Sequence, residues 1–296
     1  MEYIPAKTIV TRNKSTSWFG AQYNMNVYRG CCHGCIYCDS RSACYRIEDF
    51  GRVRAKQDAL RIIRDDLRRK VKKGIVATGS MSDPYNPYEK KLEITRHALE
   101  LVSAYGFGAA IATKSPLIAR DADVLKEIAR FAPVLAKFTI TAADDVLSRK
   151  IEPGAAPASE RFAAMEQLSK EGIYTGVLLM PVLPWITDSA ENLSAILHRA
   201  KDAGARFVYC SFGLTMREGQ REYFYAGLDK EFPGMSARYA ARYRDQYSCA
   251  IPEAKARWGE VREICDRLGL LYKMPEIIRS SQMGYEGTQL TFADSL

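Results

Sequence analysis

The sequence contains no long apolar run, no internal repeat and no low-complexity tract. Its most apolar segment, residues 176–186, is far shorter than the ~18 uncharged residues that a membrane-spanning helix needs. Residues 1–20 lack the apolar core of a secretory signal and carry Lys7, Arg12 and Lys14 instead. We therefore expect a soluble, cytoplasmic protein.

Length and composition are those of an ordinary globular chain. The 296 residues are 47% hydrophobic and 26% charged, which excludes the disordered and fibrous classes. An α/β barrel commonly uses about 200–250 residues as one unit, so this length accommodates a barrel with an additional segment.

Positive charge is concentrated in one segment. The chain carries 43 Lys and Arg against 35 Asp and Glu, and most of the excess lies between Arg52 and Lys73. We predict a helix over residues 53–72, with a basic face that is either simply solvated or directed at nucleic-acid phosphates. Its apolar residues recur at helical spacing: Leu60, Ile63, Leu67 and Val71.

The eight cysteines are not spread along the chain as a disulfide framework would be. Cys210, Cys249 and Cys265 are scattered, whereas five others fall in one short stretch. A tight cluster is typical of a metal or redox site. Its members are Cys31, Cys32, Cys35, Cys38 and Cys44.

Three of the clustered cysteines have the spacing Cys31-x3-Cys35-x2-Cys38. Three thiolates on one loop can supply soft ligands to a cubane of iron and sulfide, and the glycines at positions 30 and 34 allow the loop to turn tightly. The residues alone leave alternatives open. These are a zinc site completed by Cys32, His33 or Cys44, a redox pair of Cys35 and Cys38, and a purely structural cluster.

Short apolar runs alternate with longer helical patterns along the chain, which is typical of repeated βα units on a parallel sheet. We predict an α/β fold, a partial (β/α)6 TIM-like barrel with a C-terminal helical extension. Strands are predicted at 25–28, 74–78, 108–113, 134–140, 174–180 and 207–210. Helices are predicted at about 53–72, 91–104, 121–131, 158–171, 189–203, 234–246 and 252–268.

The domain boundary is predicted at the end of the last βα unit. Residues 1–212 form the core barrel, with the N-terminal segment 1–21 packed on it. Residues 213–296 form an extension that covers the barrel and is specific to the substrate. In such a barrel, the loops that leave the carboxyl ends of the strands build the active site. The cysteine loop and the polar segments 79–84 and 114–116 all follow predicted strands, so we expect them at one rim.

The cysteine loop, with Tyr37 directly before its last cysteine, resembles the radical S-adenosylmethionine superfamily. The strings Gly-Ser-Met-Ser-Asp-Pro-Tyr at 79–85 and Thr-Lys-Ser-Pro-Leu at 113–117 are similar to the spore photoproduct lyase-like branch of that superfamily. The resemblance extends over residues 22–190. It implies two cofactors, a [4Fe–4S] cluster and S-adenosylmethionine, and it does not identify the substrate.

The resemblance also implies roles for individual residues. Cys31, Cys35 and Cys38 would bind the cluster, whose fourth iron the methionyl group of the cofactor would chelate. Tyr37 would lie beside the adenine, and Lys114 near the cofactor carboxylate or ribose. The other implied cofactor positions are Ser80, Ser82, Asp83, Thr141, Pro181 and Val182.

Each cofactor position also has a purely structural interpretation. Lys114 is then a surface lysine, Ser82 and Asp83 cap a turn, and Thr141 fills the end of a strand. Both interpretations stay open at the level of the sequence.

Three further residues are given structural roles. Glu152 and Arg161 also match the branch and are predicted to form an ion pair. His33 is predicted to fix the loop rather than to bind metal.

One family feature has no counterpart here. Spore photoproduct lyase uses a cysteine near the second-strand loop as a hydrogen donor, whereas residues 79–82 contain none. Cys210 and Cys249 are the candidate catalytic donors that would replace it. The simpler interpretation is that the reaction is different.

We expect a lyase or transferase that cleaves S-adenosylmethionine reductively, so that the resulting radical activates a substrate. The first substrate class is nucleic acid, repaired or modified after binding through residues 52–73. The alternatives are transfer of a 3-amino-3-carboxypropyl group to a small-molecule acceptor, and a non-catalytic metal or iron–sulfur binding protein. An electron donor of flavodoxin or ferredoxin type, no membrane contact and a monomeric state are expected.

Overall fold

In the computed structural model, which describes residues 1–285, eleven strands form two sheets. The strands are β1 Glu2–Ile4, β2 Val10–Arg12, β3 Tyr23–Met25, β4 Tyr28–Arg29, β5 Arg54–Lys56, β6 Ile75–Thr78, β7 Gly108–Thr113, β8 Val134–Thr139, β9 Tyr174–Val182, β10 Phe207–Thr215 and β11 Ser248–Ala250.

Helices follow most of the strands of the large sheet. The α-helices are α1 Ala59–Arg68, α2 Glu89–Leu92, α3 Ile94–Ala104, α4 Ala122–Ala129, α5 Asp145–Ile151, α6 Ala158–Lys170, α7 Ala190–Asp202, α8 Gln220–Glu231, α9 Met235–Tyr243, α10 Ala254–Leu268 and α11 Met274–Gln282. Short 3-10 helices lie at Asp39–Arg41, Ala43–Tyr45 and Pro116–Asp121.

The large sheet has the strand order β11-β10-β9-β8-β7-β6-β3-β2. Its six central strands, β3 and β6 to β10, run parallel, while β2 and β11 pair antiparallel at the two edges. No pairing between the edges closes the sheet within residues 1–285. The predicted partial (β/α)6 barrel is confirmed. A separate three-stranded sheet, β1-β5-β4, lies beside it.

The two faces of the large sheet are covered differently. One face packs with α1, α3, α4, α6 and α7 into a continuous apolar cluster. The other face forms a smaller cluster that contains Ala110, Leu135 and Leu178 from the strands, together with Phe19 and Ile277. The second face is therefore the barrel interior, and the N-terminal segment and α11 pack against it. All six residues of β8 are buried, as expected for a strand covered on both faces.

Three expectations about local structure are wrong. The helix predicted over 53–72 begins at Ala59 and ends at Arg68, because Arg54–Lys56 pairs as strand β5 in the small sheet. Val71 consequently lies beyond the helix and is 94% exposed. The first barrel strand ends at Met25 rather than at Tyr28.

The domain boundary that we placed between residues 212 and 213 falls inside β10. The segment that follows is continuous with the barrel sheet, because β11 pairs with the end of β10. Residues 286–296 of the predicted extension lie outside the described residues. Within the described part of the chain, we find no helix with both the length and the apolarity that crossing a bilayer requires.

Candidate active site

A cavity lies where β6, β7 and β8 end and the cysteine loop crosses them. Residues from four segments that are distant in sequence line it. Those predicted as site residues and found in its wall are Cys31, Cys35, Cys38, Ser80, Ser82, Asp83 and Lys114. The sequence therefore predicted correctly that these segments converge at one rim.

The cysteine loop is fixed by main-chain contacts on two sides. On one side, the N–H of Cys31 donates to the carbonyl of Phe50 at 2.8 Å. Gly30 has φ +80°, and a Cβ there would lie 2.4 Å from the carbonyl oxygen of Arg52. On the other side, the N–H of Ile36 donates to the carbonyl of Ile151 at 2.9 Å. The loop thus has a defined path before any ligand binds.

The thiols of this loop are suited to bind a metal cluster. Burial raises the pKa of Cys31 to about 11 and raises the pKa of Cys35 well above its usual range. Thiols of this kind become thiolates when a cation displaces their protons, so metal binding and deprotonation are coupled. Within residues 1–285, no three Cys, His, Asp or Glu side chains converge on one point as ligands of a single ion would. Three thiols around a cavity fit an iron–sulfur cubane.

Asp83 ties the walls of the cavity together. One carboxylate oxygen accepts from the Tyr85 N–H at 2.9 Å and from the Thr113 hydroxyl at 2.7 Å. The other accepts from the Lys114 N–H at 2.7 Å and lies 3.5 Å from Nδ1 of His33. Because its lone pairs are used within the protein, Asp83 is placed to position Lys114 and the cysteine loop rather than to hold a ligand itself.

His33 is buried beside this carboxylate. Burial lowers the pKa of His33, although the charge of Asp83 opposes the shift. Its carbonyl accepts from the Gly154 N–H at 2.8 Å, so both its side chain and its main chain contact neighbouring segments. This geometry agrees with the predicted role of fixing the loop.

A buried ion pair lies behind the cysteine loop, as predicted. Nη2 of Arg161 is 2.5 Å from Glu152, and both side chains are about 1% exposed. The hydroxyl of Tyr37 donates to the same carboxylate, and Nη1 of Arg161 donates to the carbonyl of Thr139 at 2.8 Å. Tyr37 is thus buried in this network and is not among the residues that line the cavity, and its implied place beside the adenine stays a prediction.

Lys114 is the cation of the cavity. Its Nζ lies 5.7 Å from the centre of the Tyr37 ring, and within residues 1–285 it forms no hydrogen bond or ion pair. Burial alone would lower the pKa of Lys114, but the nearby Cys35 and Glu152 outweigh it and raise the pKa. The ammonium group therefore stays charged and is available to an anionic ligand.

The segment after β6 supplies hydroxyl groups to the cavity. Gly79 has φ +94°, and a Cβ there would lie 1.9 Å from the carbonyl oxygen of Ala112, so this turn packs directly on β7. The hydroxyl of Ser82 donates to the carbonyl of Tyr28 at 3.2 Å. Ser80 is more exposed and keeps a hydroxyl free to face a ligand, with only a 3.5 Å contact to Asn24.

Three further implied cofactor residues, besides Tyr37, do not line the cavity. Thr141 is fully buried, and its hydroxyl has no partner among the described residues. Pro181 and Val182 belong to β9 itself rather than to the loop after it, and Val182 is buried among the helices. The hydroxyl that reaches the cavity from β8 is that of Thr139, which our sequence analysis missed. The sequence signal that could have indicated Thr139 is the alternation of faces along a strand, since Thr139 is the last residue of β8 and shares a face with Leu135 and Lys137.

Neither of the two candidate hydrogen donors is among the residues that line the cavity, and their role stays a prediction. Cys210 packs on the helix-covered face of the sheet, close to Cys265 of α10. Cys249 is buried in a cluster with Phe224 and Tyr239. Odd and even positions of β10 face opposite sides, and position 210 faces outward.

The basic segment lies on the outer wall of the barrel. Arg61 pairs with Asp58 at 3.2 Å, and Arg64 with Asp65 at 3.1 Å. The segment ends at Lys73, whose Nζ is 4.7 Å from the centre of the Phe107 ring, just before β7 begins. Lys73 is thus at the end of the barrel opposite the cysteines, about 20 Å away along a six-residue strand. The segment begins beside the cysteine loop, where the carbonyl of Arg52 packs against Gly30.

Comparisons with known proteins point to one family. The model of the Radical SAM superfamily matches residues 25–197. The uncharacterized protein Rv2578c of Mycobacterium tuberculosis is 32% identical over 231 residues, which cover 75% of this chain and 67% of that protein. A solved variant of spore photoproduct lyase has a TM-score of 0.66 at 13% identity and covers 92% of this chain and 81% of its own. Spore photoproduct lyase complexed with a dinucleoside spore photoproduct has a TM-score of 0.64 at 13% identity. The match covers 90% of this chain and 80% of that chain. At such identities the two structures support the fold alone.

Proposed function

This chain belongs to the radical S-adenosylmethionine (SAM) superfamily, and from that membership we propose that its radical chemistry acts on nucleic acid. The protein is an enzyme, and its cofactors are a [4Fe–4S] cluster and SAM. When bound, the reduced cluster would supply the electron for the reductive cleavage of SAM, and the radical chemistry that follows would activate the substrate. The radical chemistry is supported by a cavity lined by three cysteines and one unpaired lysine, and the substrate class by Arg41 at its mouth.

The residues around the cavity divide the task. Cys31, Cys35 and Cys38 would hold the cluster; Cys35 is buried, whereas Cys31 and Cys38 are half-buried at the cavity wall. Lys114 would bind the carboxylate of SAM. Asp83 fixes the main chain of Lys114 and so keeps the cation facing the cavity.

Replacing Lys114 with Ala should weaken SAM binding about 10- to 100-fold while the cluster still assembles. The reason is the loss of a charge-assisted hydrogen bond of roughly 1.5–3 kcal/mol. Anaerobic titration of the reconstituted protein measures the affinity, and the absorption spectrum measures the cluster. Lys126→Ala, which removes an exposed lysine paired with Glu171, is the control and should change neither. Equal affinity in the two variants would disprove the role of Lys114.

Nucleic acid is the substrate class that the cavity mouth favours. The guanidinium of Arg41 lies 3.8 Å from the centre of the Tyr223 ring and 5.0 Å from that of Phe50, which itself lines the cavity. Within residues 1–285, Arg41 has no ion pair or side-chain hydrogen bond, and its Nε is buried without a partner. A guanidinium held by aromatic rings suits a phosphate, and aromatic rings suit a stacked base. A structural neighbour of this chain, spore photoproduct lyase, has been solved with a dinucleoside bound.

We expect Arg41→Gln to weaken binding of a single-stranded oligonucleotide. Because one phosphate contact is lost, the slope of log K against log salt concentration should become shallower by about 0.7–0.9. The comparison variant reverses three charges on the outer wall, Arg61, Arg68 and Lys72 to Glu. If the mouth is the binding surface, that variant keeps SAM cleavage and most of the affinity. If the triple variant loses affinity and Arg41→Gln does not, residues 52–73 are the binding surface instead. A flat salt profile in the wild-type protein would contradict a nucleic-acid substrate.

Product analysis tests the reaction itself. Anaerobic reconstitution with a reductant and SAM should release 5′-deoxyadenosine and methionine, which mass spectrometry identifies. Release of 5′-methylthioadenosine would instead indicate that the 3-amino-3-carboxypropyl group is transferred, since the other carbon–sulfur bond would have been broken. If neither product is released, the remaining interpretation is a non-catalytic iron–sulfur protein. We propose that a flavodoxin or ferredoxin supplies the electron in the cell and that the chain acts as a monomer.

A further inference from the structure

Lys137 lies inside the barrel, immediately beneath the cavity. It is in the middle of β8 and only 2% exposed. Its neighbours on the same face of the strand are Leu135, which belongs to the interior cluster, and Thr139, which lines the cavity. Residues two apart on a strand lie about 6.6–7 Å apart, so Lys137 occupies the layer directly below Thr139.

The neighbouring strands place small residues beside Lys137. In the sheet register, Lys137 is opposite Ala112 on β7 and Gly176 on β9. The ring of Phe207 fills the place that a side chain on Gly176 would take. On the other side, Ala112 is partly exposed and lines the cavity. The amine is therefore closed in toward β9 and has a small, cavity-lining neighbour toward β7.

The amine has no polar partner. Within residues 1–285, Nζ forms no hydrogen bond and no ion pair, and its one described interaction is with the ring of Phe19, whose centre is 4.4 Å away. Burial lowers the pKa of Lys137 to about 7, and no charged neighbour offsets the shift. Buried cations are rare unless they are paired, because the loss of hydration is not otherwise recovered. An unpaired amine next to a ligand cavity therefore points to a ligand that supplies the partner.

We propose that Lys137 is an anion-binding residue of the active site, whose amine binds a carboxylate or phosphate oxygen of the molecule that extends from the cavity into the barrel. The anion comes either from SAM or from a nucleotide substrate. The inference rests on the proposed function for the nature of this molecule. The burial of the amine and its lack of a partner hold for any reaction.

A purely structural role makes the opposite prediction for stability. If the contact with Phe19 mainly holds the N-terminal segment against the barrel, removal of the amine destabilises the protein. If the amine is kept for a ligand, its removal relieves an unpaired buried polar group, and the ligand-free protein is at least as stable as the wild type. The two roles are therefore separated by a measurement that needs no activity.

The test compares Lys137→Met with Lys56→Met in the cluster-loaded protein. Lys56 is a suitable control because burial lowers its pKa as well, whereas it lies in β5 of the small sheet and does not line the cavity. Two quantities are measured, the thermal midpoint without ligand and the dissociation constants of four probes. The probes are SAM, decarboxylated SAM, a dinucleoside monophosphate, and its uncharged methylphosphonate analogue.

We expect Lys137→Met to keep the cluster and the thermal midpoint, and to lose about 10- to 100-fold in affinity for one charged probe but not for its analogue without the anion. A loss confined to SAM identifies the cofactor carboxylate as the anion, and a loss confined to the dinucleotide identifies the substrate phosphate. Lys56→Met should leave all four dissociation constants unchanged.

Two results would overturn the inference. One is a lower midpoint with unchanged affinity for every probe, which would make Lys137 a packing residue. The other is wild-type protein that binds neither charged probe. If Lys137→Met does not fold, Lys137→Gln keeps a polar chain without the charge and is judged by the same affinities. Failure of the proposed function would appear separately, as wild-type protein that binds the probes but releases no 5′-deoxyadenosine.

Discussion

Replacing any one of Cys31, Cys35 and Cys38 with Ala should abolish SAM cleavage, and the wild-type protein should hold about four irons and four sulfides per chain. Each thiol is expected to bind a different iron, so no remaining ligand on the loop can compensate for the loss. Iron and sulfide analysis after anaerobic reconstitution gives the metal content, and mass spectrometry of the nucleoside products gives the activity.

Cys32→Ala is the matched control for these variants. Cys32 is adjacent to Cys31 in sequence but does not line the cavity, so this variant should keep its cluster spectrum and its activity. Cys44 is also outside the cavity, on the surface, where Nη1 of Arg217 is 3.3 Å from its sulfur. If Cys32→Ala lost the cluster and Cys31→Ala kept it, the assignment of the ligands would be wrong.

Replacing Arg161 with Met should lower the free energy of unfolding by about 3–5 kcal/mol, because it leaves the Glu152 carboxylate buried without its partner. Urea unfolding of the cluster-free protein measures this loss. Arg130→Met removes an exposed arginine that pairs with Glu127, and as the control it should change stability by less than about 1 kcal/mol. A small effect at Arg161 would mean that water or a shifted side chain satisfies Glu152.

The same variant should show a defined dependence on pH. Burial alone would raise the pKa of Glu152, but Arg161 and Lys114 outweigh it and hold the pKa below its usual value. The stabilisation is therefore complete above the unfolded-state pKa of about 4.3 and is lost as pH falls through the lowered pKa. The difference between wild type and Arg161→Met should narrow in acid. The double variant with Glu152→Gln should recover part of the loss at neutral pH.

The structural neighbours do not decide the substrate, and our proposal of nucleic acid rests on the residues at the cavity mouth. A cation that aromatic rings hold in place and that has no partner within the described residues is positioned for an anionic, planar ligand, as Arg41 is between Tyr223 and Phe50. Tyr223 belongs to α8, in the segment that we expected to be specific to the substrate. The salt dependence of Arg41→Gln therefore bears on both the substrate class and the role of that segment.

Two of the site residues expected from the sequence differ from the observed cavity lining for the same reason. We expected the fourth barrel strand to reach residue 140 and chose Thr141 as the hydroxyl at its end, whereas the strand ends at Thr139 and Thr139 lines the cavity. We chose Cys210 because it ends a predicted strand, but β10 continues to Thr215 and position 210 faces the helices. In both cases the residue type was reasonable, and the face of the strand was not known.

The sequence by itself determined the partial α/β barrel and the rim on which the cysteine loop, Ser82, Asp83 and Lys114 meet. These follow from local patterns, because the alternation of apolar runs sets the βα units, and the carboxyl ends of parallel strands bring the segments that follow them to one rim. Only the tertiary structure decided that Asp83 accepts hydrogen bonds from other protein groups and that Arg41 lies against two aromatic rings. It also decided that the amine of Lys137 has no hydrogen-bond or ion-pair partner within residues 1–285. Whether a polar group is paired depends on segments far away in sequence, and no local spacing records which of them will meet.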